Sequence, residues 1–348
     1  MSRTLAVRLD SLGDVLVTGP AVRALAAGGP VDLLCGPQGR AAGALLPGVQ
    51  DVLCWRAPWI DPAPDPVDRH HVRAIVDRLA ERGYRRAVVF TSFHQSALPT
   101  ALLLRMAGVG WVGAISEDYP GSLLDVRHRL DDDLPEAERA LSLARACGAE
   151  LPPGDDGRLA VHPELVSAPR PVTPYVVLHP GTSVPARAWP AEHYRETCRL
   201  LTSQGHLVVV TGAPDERELT AYVAGDDGID RGGRTDLRSL ATLLAGASSV
   251  VVGNTGPAHL AAAVGTPVVS LFAPTVPAVR WAPYRVPTVL LGDQQAPCRG
   301  SRATQCPVPG HPCLTSVQPR DVVSAVLELG VRPGPRSAPP HLTPGRTP

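Results

Sequence analysis

The stretch Val250–Pro267, VVVGNTGPAHLAAAVGTP, changes physical character within a few residues. It opens on an apolar, β-branched run, which predicts a buried parallel strand. It turns through Gly253, Asn254, Thr255 and Gly256, meets Pro257 at a first helical position, and continues in small helix formers from Ala258 to Val264. Strand, Gly-rich turn and helix N-terminus in that order gather free backbone N–H groups and the positive end of a helix dipole at one point. Such a point suits phosphate. Thr255 adds a hydroxyl and His259 lies one turn in, so both can face the same anion. The same residues also suit an ordinary turn with Asn254 or Thr255 as the cap.

The unit recurs, and its recurrence constrains the fold to α/β. Thr4–Leu9 is a strand, Asp10–Asp14 a glycine turn and Val15–Ala27 a helix containing Pro20. Strands follow at Val31–Cys35, Asp51–Cys54 and Arg86–Phe90, with helices at Val72–Arg82, Ala97–Ala107 and Glu136–Cys147. Trp55–Pro66 is a Pro-rich surface loop, and Ser92–Gln95 lies at the carboxyl end of a strand, where open α/β sheets place ligands. Ser167–Pro174, SAPRPVTP, is the linker candidate. A second series then runs through strands Tyr175–His179, Leu207–Thr211 and Val268–Phe272, with helices Ala191–Gln204, Leu237–Ala245 and Gln318–Leu329. This divides the chain into a domain at 1–166, a linker at 167–174, a second domain at 175–330 and a disordered Pro-rich tail at 331–348. Two such units imply a cleft between them.

Composition removes several functions. The chain has no lysine; all 33 basic residues are arginine. A Walker A loop and a pyridoxal phosphate Schiff base both need lysine. There is no HExxH, no GxSxG, and no GxGxxG that follows a strand and opens a helix. Basic and acidic residues balance at 33 each, so no bulk charge draws the chain to nucleic acid or membrane. No apolar run approaches the ~20 residues that cross a bilayer. The N-terminal MSRTLAVRLD lacks the apolar core of a signal peptide, and seven cysteines fit a reduced interior, so the expected location is the cytoplasm.

Four motifs occur in order: LDSLGDVLVTGPAVRAL, HPGTSVPARAWP, TGAPDE and GNTGPAHLAAAVGTPVVSLF. Together they resemble the ADP-heptose:lipopolysaccharide heptosyltransferase family, glycosyltransferase family 9, from about Thr4 to Leu329. The resemblance implies a GT-B fold, two Rossmann-like domains facing across a cleft. It implies inverting, metal-independent transfer of a sugar, heptose above all, from an ADP-sugar held by the second domain to an acceptor hydroxyl held by the first. No cofactor is implied beyond the donor substrate. The family's usual acceptor is the inner core of lipopolysaccharide, a cell-envelope glycan that implies peripheral membrane contact, whereas the absence of lysine and the presence of Asn254 suggest a soluble, aminoglycoside-like carbohydrate acceptor. A nucleotide-sugar-binding protein and a nucleotide-sugar epimerase of the same fold are the alternatives.

By the resemblance Asp14, in the SLGD element with Ser11 and Gly13, takes the acceptor hydroxyl's proton; its other reading is a helix cap. Asp10 lies outside that element and is expected to be a solvated loop residue. Arg187 stands where family members usually carry lysine and would meet the departing diphosphate charge. Thr182 and Ser183 would bond phosphate oxygens, and Trp189 would pack. Asn254 stands where the family often has aspartate, while Thr255, Gly256 and His259 match as diphosphate ligands. Gly212 would let the backbone approach the nucleoside and Glu216 would accept from ribose hydroxyls. Cys298, Cys306, His311 and Cys313 lack the C-x₂₋₄-C spacing of a zinc site and are expected to be local structure, with no metal bound.

Overall fold

The computed structural model describes residues 3–61, 63–130, 133–166 and 173–331. Most of the linker at 167–174, and all of the tail but Val331, lie outside them. The first sheet comprises β1 (Thr4–Arg8), β2 (Val31–Cys35), β3 (Val49–Cys54), β4 (Arg86–Val89), β5 (Trp111–Ile115) and β6 (Val126–His128). Their order is β3-β2-β1-β4-β5-β6. The second comprises β7 (Tyr175–His179), β8 (Leu207–Val210), β9 (Ile229–Asp230), β10 (Ser249–Gly253), β11 (Val268–Leu271) and β12 (Thr288–Leu291), in the order β12-β11-β10-β7-β8-β9. Every pairing is parallel. Helices cover both faces, so the central strands are apolar on both sides; all residues of VDLLC in β2 and of SVVVG in β10 are buried.

Each sheet reverses its strand order once, between β1 and β4 and between β7 and β10. The carboxyl ends of these pairs form the crevice in which open α/β sheets bind ligands. One apolar body joins the halves, with Val15 and Leu16 in the same cluster as Val177, Val252 and Ala258.

The helix expected over Val15–Ala27 is two helices, Leu12–Val17 and Gly19–Ala27. Pro20 has no N–H for the helical ladder, and Thr18 Oγ1 donates to the Asp14 carbonyl at 2.8 Å where the first helix stops. Asp14 therefore lies in the first turn of a helix rather than in a preceding loop. Strands β5, β6, β9 and β12 and the helix Arg217–Ala224 were not anticipated. The edge strands β6, β9 and β12 are short and half-buried, which blurs their alternation. No helix among the described residues is long and apolar enough to cross a membrane.

Candidate active site

Two helix N-termini meet at the crevice. The helix Leu12–Val17 follows β1, and the helix Gly256–Ala263 follows β10. They approach so closely that side chains are excluded at two glycines. A Cβ on Gly13 would stand 2.8 Å from His259 Cδ2, and one on Gly256 would stand 2.7 Å from Leu12 Cδ2. The SLGD element and the GNTG turn, distant in sequence, are thus in direct contact. His259 is a packed ring with little room to give, so Gly13→Ala should destabilise the protein by about 1–3 kcal/mol through overpacking. Urea unfolding would read that loss; an unchanged midpoint would show that the helices part at no cost.

On the first wall, one buried arginine organises three carboxylates. Arg8 is 1% exposed. Its Nη2 donates to Asp14 Oδ1 at 2.8 Å and to Ser92 Oγ at 2.9 Å. Its Nε lies 2.8 Å from Asp10 Oδ2, and Nη1 lies 3.8 Å from Glu136 Oε2. Burial opposes the guanidinium charge, and the three carboxylates more than offset it, raising the Arg8 pKa. Asp14 Oδ2 accepts from the Ser11 hydroxyl at 2.6 Å and the Ser11 N–H at 3.1 Å, so it closes a capping box. Burial pushes the Asp14 carboxyl up, but Arg8 and Ser11 outweigh it and hold it below the ordinary range. Asp10 goes the other way: burial, aided by Asp14, raises it despite Arg8.

Asp10 is therefore not the solvated loop residue expected. Its side chain is 7% exposed, drawn inward by Arg8 and by Gln95 Nε2, which donates to Asp10 Oδ1. A charged residue inside the apolar strand TLAVR was the available signal, because an arginine buried in a sheet requires carboxylates around it.

The second wall is the complement. Thr255 is the N-cap of its helix, and its hydroxyl makes no side-chain cap bond. Asn254 and His259 are 4% and 3% exposed, and among the described residues Asn254 Nδ2 and His259 Nδ1 have no partner. Arg187 Nη1 reaches the Asn254 carbonyl at 3.4 Å, while its Nε is buried and unpaired. Burial, then Arg302, lowers the Arg187 pKa. Burial also brings His259 to about 4, against the pull of Asp14, so its imidazole is neutral at physiological pH.

The walls enclose a cavity of ≈ 330 Å³. Ser11, Gly13, Asp14, Ser183, Arg187, Asn254, Thr255, Gly256 and His259 all line it. Thr182, Gly212 and Glu216 do not. Thr182 Oγ1 accepts from the Val184 N–H at 3.3 Å, ordinary turn chemistry. Glu216 caps its own turn through the Ala213 N–H at 2.8 Å and packs over Gly181 and Gly212, at the carboxyl ends of β7 and β8. Ser92–Gln95 line the cavity too, at the strand end where ligands were expected, and residues not anticipated join them, among them Gln38, Asp61, Trp281 and Arg302.

Trp189 packs as expected, its indole N–H donating to the Val317 carbonyl at 3.2 Å. Cys298 and Cys313 are buried in the second core. Burial, then Cys298, pushes the Cys313 thiol up to about 12. Among the described residues no His, Cys, Asp and Glu group gathers into a metal-holding set.

Two six-stranded parallel sheets of one strand order, with a polar cavity between their carboxyl ends, define a GT-B glycosyltransferase architecture. An Escherichia coli heptosyltransferase solved with ADP-2-deoxy-2-fluoro heptose shares it, with a TM-score of 0.73 at 22% identity over 94% of this chain and 99% of that one. E. coli ADP-heptose lipopolysaccharide heptosyltransferase II aligns with a TM-score of 0.71 at 20% identity, over 94% and 98%. Residues 72–310 match the model of glycosyltransferase family 9 (heptosyltransferase). The chain belongs to that family and is a glycosyltransferase. Lipopolysaccharide heptosyltransferase 1 of E. coli O18:K1:H7 is 28% identical over 231 residues, 64% of this chain and 68% of that protein. The enzyme of the same name from Pseudomonas aeruginosa is 30% identical over 224 residues, 61% and 62%.

Proposed function

We propose that the enzyme transfers heptose from ADP-heptose to a hydroxyl of a carbohydrate acceptor, with inversion and without a divalent metal. The acceptor is part of a cell-envelope glycan or of a soluble natural product. The observation that carries the reading is the meeting of Asp14 with Asn254, His259 and Arg187 across one cavity. The donor is supported by the relatives' names and by the ADP-sugar with which a structural neighbour was solved.

In this mechanism the diphosphate lies at the helix start Gly256–Ala263, against backbone N–H groups, the Thr255 hydroxyl, Asn254 Nδ2, Ser183 and Arg187. Thr182 holds the shape of the phosphate-facing turn. Gly212 and Glu216, beside Gly181, take the nucleoside. The acceptor hydroxyl approaches Asp14 from the first wall. Its oxygen forms a bond to the anomeric carbon as the bond from that carbon to phosphate oxygen breaks, and the electron pair leaves on ADP. The hydroxyl becomes strongly acidic as the new bond forms, so a carboxylate of low basicity suffices to take the proton late. Attack opposite the leaving group inverts the centre.

The wall chemistry around the diphosphate supports metal independence. A divalent cation on the diphosphate would want carboxylate ligands, and the second sheet's loops bring none to the cavity, offering Arg187 and Arg302 instead. The test is purified protein with ADP-heptose and a panel of glycan acceptors, read by mass spectrometry and by NMR of the product's anomeric centre. Chelation with EDTA should leave the rate unchanged. Arg187→Ala should lower kcat/KM roughly 10²-fold, the usual weight of one donor to a developing charge. Absence of product with any heptose donor would end the proposal, as would retained anomeric configuration or an EDTA-sensitive rate for the part each concerns.

A further inference from the structure

Glycosyl transfer leaves the class of acceptor open, and the charge on the cavity walls narrows it. From the first sheet's loops, Asp10, Asp14 and Asp61 line the cavity, and among the described residues no arginine of that half does. From the second, Arg187 and Arg302 line it, and among the described residues no carboxylate does. His94, on the acceptor wall, is pulled down to about 4 by burial and then Arg302, so it adds no positive charge at neutral pH. Arg8 stands behind the wall, 1% exposed and already committed to Asp10 and Asp14.

Asp61 is separate from that cluster. Its side chain is 15% exposed, its Oδ2 pairs with the half-exposed Arg56 at 3.0 Å, and its Oδ1 accepts the Ala63 N–H at 2.9 Å. A solvent-facing arginine is weak compensation. The loop that carries Asp61 is braced by Trp55 and Trp59, edge to face at 5.3 Å. The cavity is independently marked as a ligand site by the unpartnered Asn254 Nδ2 and His259 Nδ1, both on residues more than nine-tenths buried.

We propose that the acceptor carries a protonated amine, that Asp61 is the amine's partner, and that carboxylated or phosphorylated glycans are disfavoured on this wall. The inference rests on the glycosyl-transfer reading above. Asp10 and Asp14 are held by Arg8, Gln95 and Ser11, which leaves Asp61, paired only with a half-exposed arginine, as the lining carboxylate for an ammonium group, whereas an acidic acceptor would add a like charge to a lining that already carries three carboxylates. Asp61 positions the acceptor and takes no part in bond making.

The experiment measures ADP release from ADP-heptose above the rate of donor hydrolysis. The acceptors are amino-sugar glycosides and aminocyclitols, their N-acetylated forms, and the corresponding uronic acid glycosides. Amines should exceed their N-acetylated forms in kcat/KM by roughly 10–100-fold, the weight of a charge-assisted hydrogen bond, and exceed the uronic acids by more. Asp61→Asn, which retains the acceptor for the Ala63 N–H, should raise KM for amines roughly 10-fold with kcat nearly kept, and should bring the amine and N-acetyl rates together. Uronic acids used as well as amines, amines giving no release above hydrolysis, or an Asp61→Asn enzyme that keeps its amine preference would each overturn the inference. Those results come with ADP binding and donor hydrolysis intact. Loss of both in the wild-type protein would instead remove glycosyl transfer, and this inference with it.

Discussion

Asp14→Asn lowers kcat by roughly 10²–10⁴-fold, the range for a positioned proton acceptor, while ADP affinity stays within about twofold because the diphosphate seat is on the other wall. Asparagine has the same shape. Its carbonyl can still accept from Ser11, which closes the first turn of the helix Leu12–Val17. What disappears is the charge that takes the proton. Some stability should be lost at neutral pH, since the ionised Asp14 that Arg8 and Ser11 hold below its ordinary range favours the folded state, although relief of like-charge repulsion with Asp10 offsets part of it. The wild-type acid limb of kcat/KM should lie below the ordinary carboxylate range, because Arg8 and Ser11 overcome burial and keep Asp14 ionised. Steady-state kinetics with calorimetry of ADP binding would check both. Full turnover in the variant would take Asp14 out of the chemistry and pass the proton to Asp10. An epimerase would convert the donor with no acceptor present, and a binding protein would turn over nothing even as wild type.

Arg8→Met costs about 3–5 kcal/mol of stability near neutral pH, because it strands buried carboxylates without their cation. Methionine fills much of the volume, so the loss is electrostatic more than steric. Asp10, Asp14 and Glu136 have side chains 7%, 13% and 1% exposed. Arg139 acts on Glu136 but is a weaker influence there than Arg8. The pH dependence distinguishes this from a simple packing defect. In the wild type the signs partly cancel. Asp14, depressed in the folded state, contributes stability above its unfolded pKa that is lost as pH falls. Asp10 and Glu136, both raised chiefly by burial, contribute stability at low pH that is lost as pH rises. Without Arg8 each of the three loses the first influence that lowers it, so the variant should be weakest at neutral pH and recover towards acid. Urea midpoints at pH 5 and pH 7.5 would show it; an equal deficit at both would mean that Arg8 acts by packing alone.

The legible parts of this protein were local. SVVVG and VDLLC declare buried parallel strands because a run of β-branched and apolar residues has no solvent face to offer. Ala191–Gln204 was expected nearly as it stands, Ala191–Ser203, because its apolar residues repeat at helical spacing. The edge strand Thr288–Leu291 was not legible, being short and only half-buried along its length. At the site, nine of the residues singled out line one cavity, because strand–turn–helix units place their turns at the carboxyl edge of a parallel sheet. Asp10 was misjudged because its partners Ser92 and Gln95 come from the loop after β4, which no local pattern ties to β1.

The sequence by itself therefore determined the units: which segments are strands, where helix N-termini present free N–H groups, and that the chain repeats one α/β plan twice. Backbone geometry and burial periodicity act over a few residues, so those properties survive without the rest of the molecule. Only the tertiary structure decided that Gly13 and Gly256 let two helix starts touch. It alone set Arg8 among three carboxylates and divided the cavity into an acidic wall and a cationic one. Those relations depend on strand order and on contacts between distant segments, whose energies exist only once both sheets have formed.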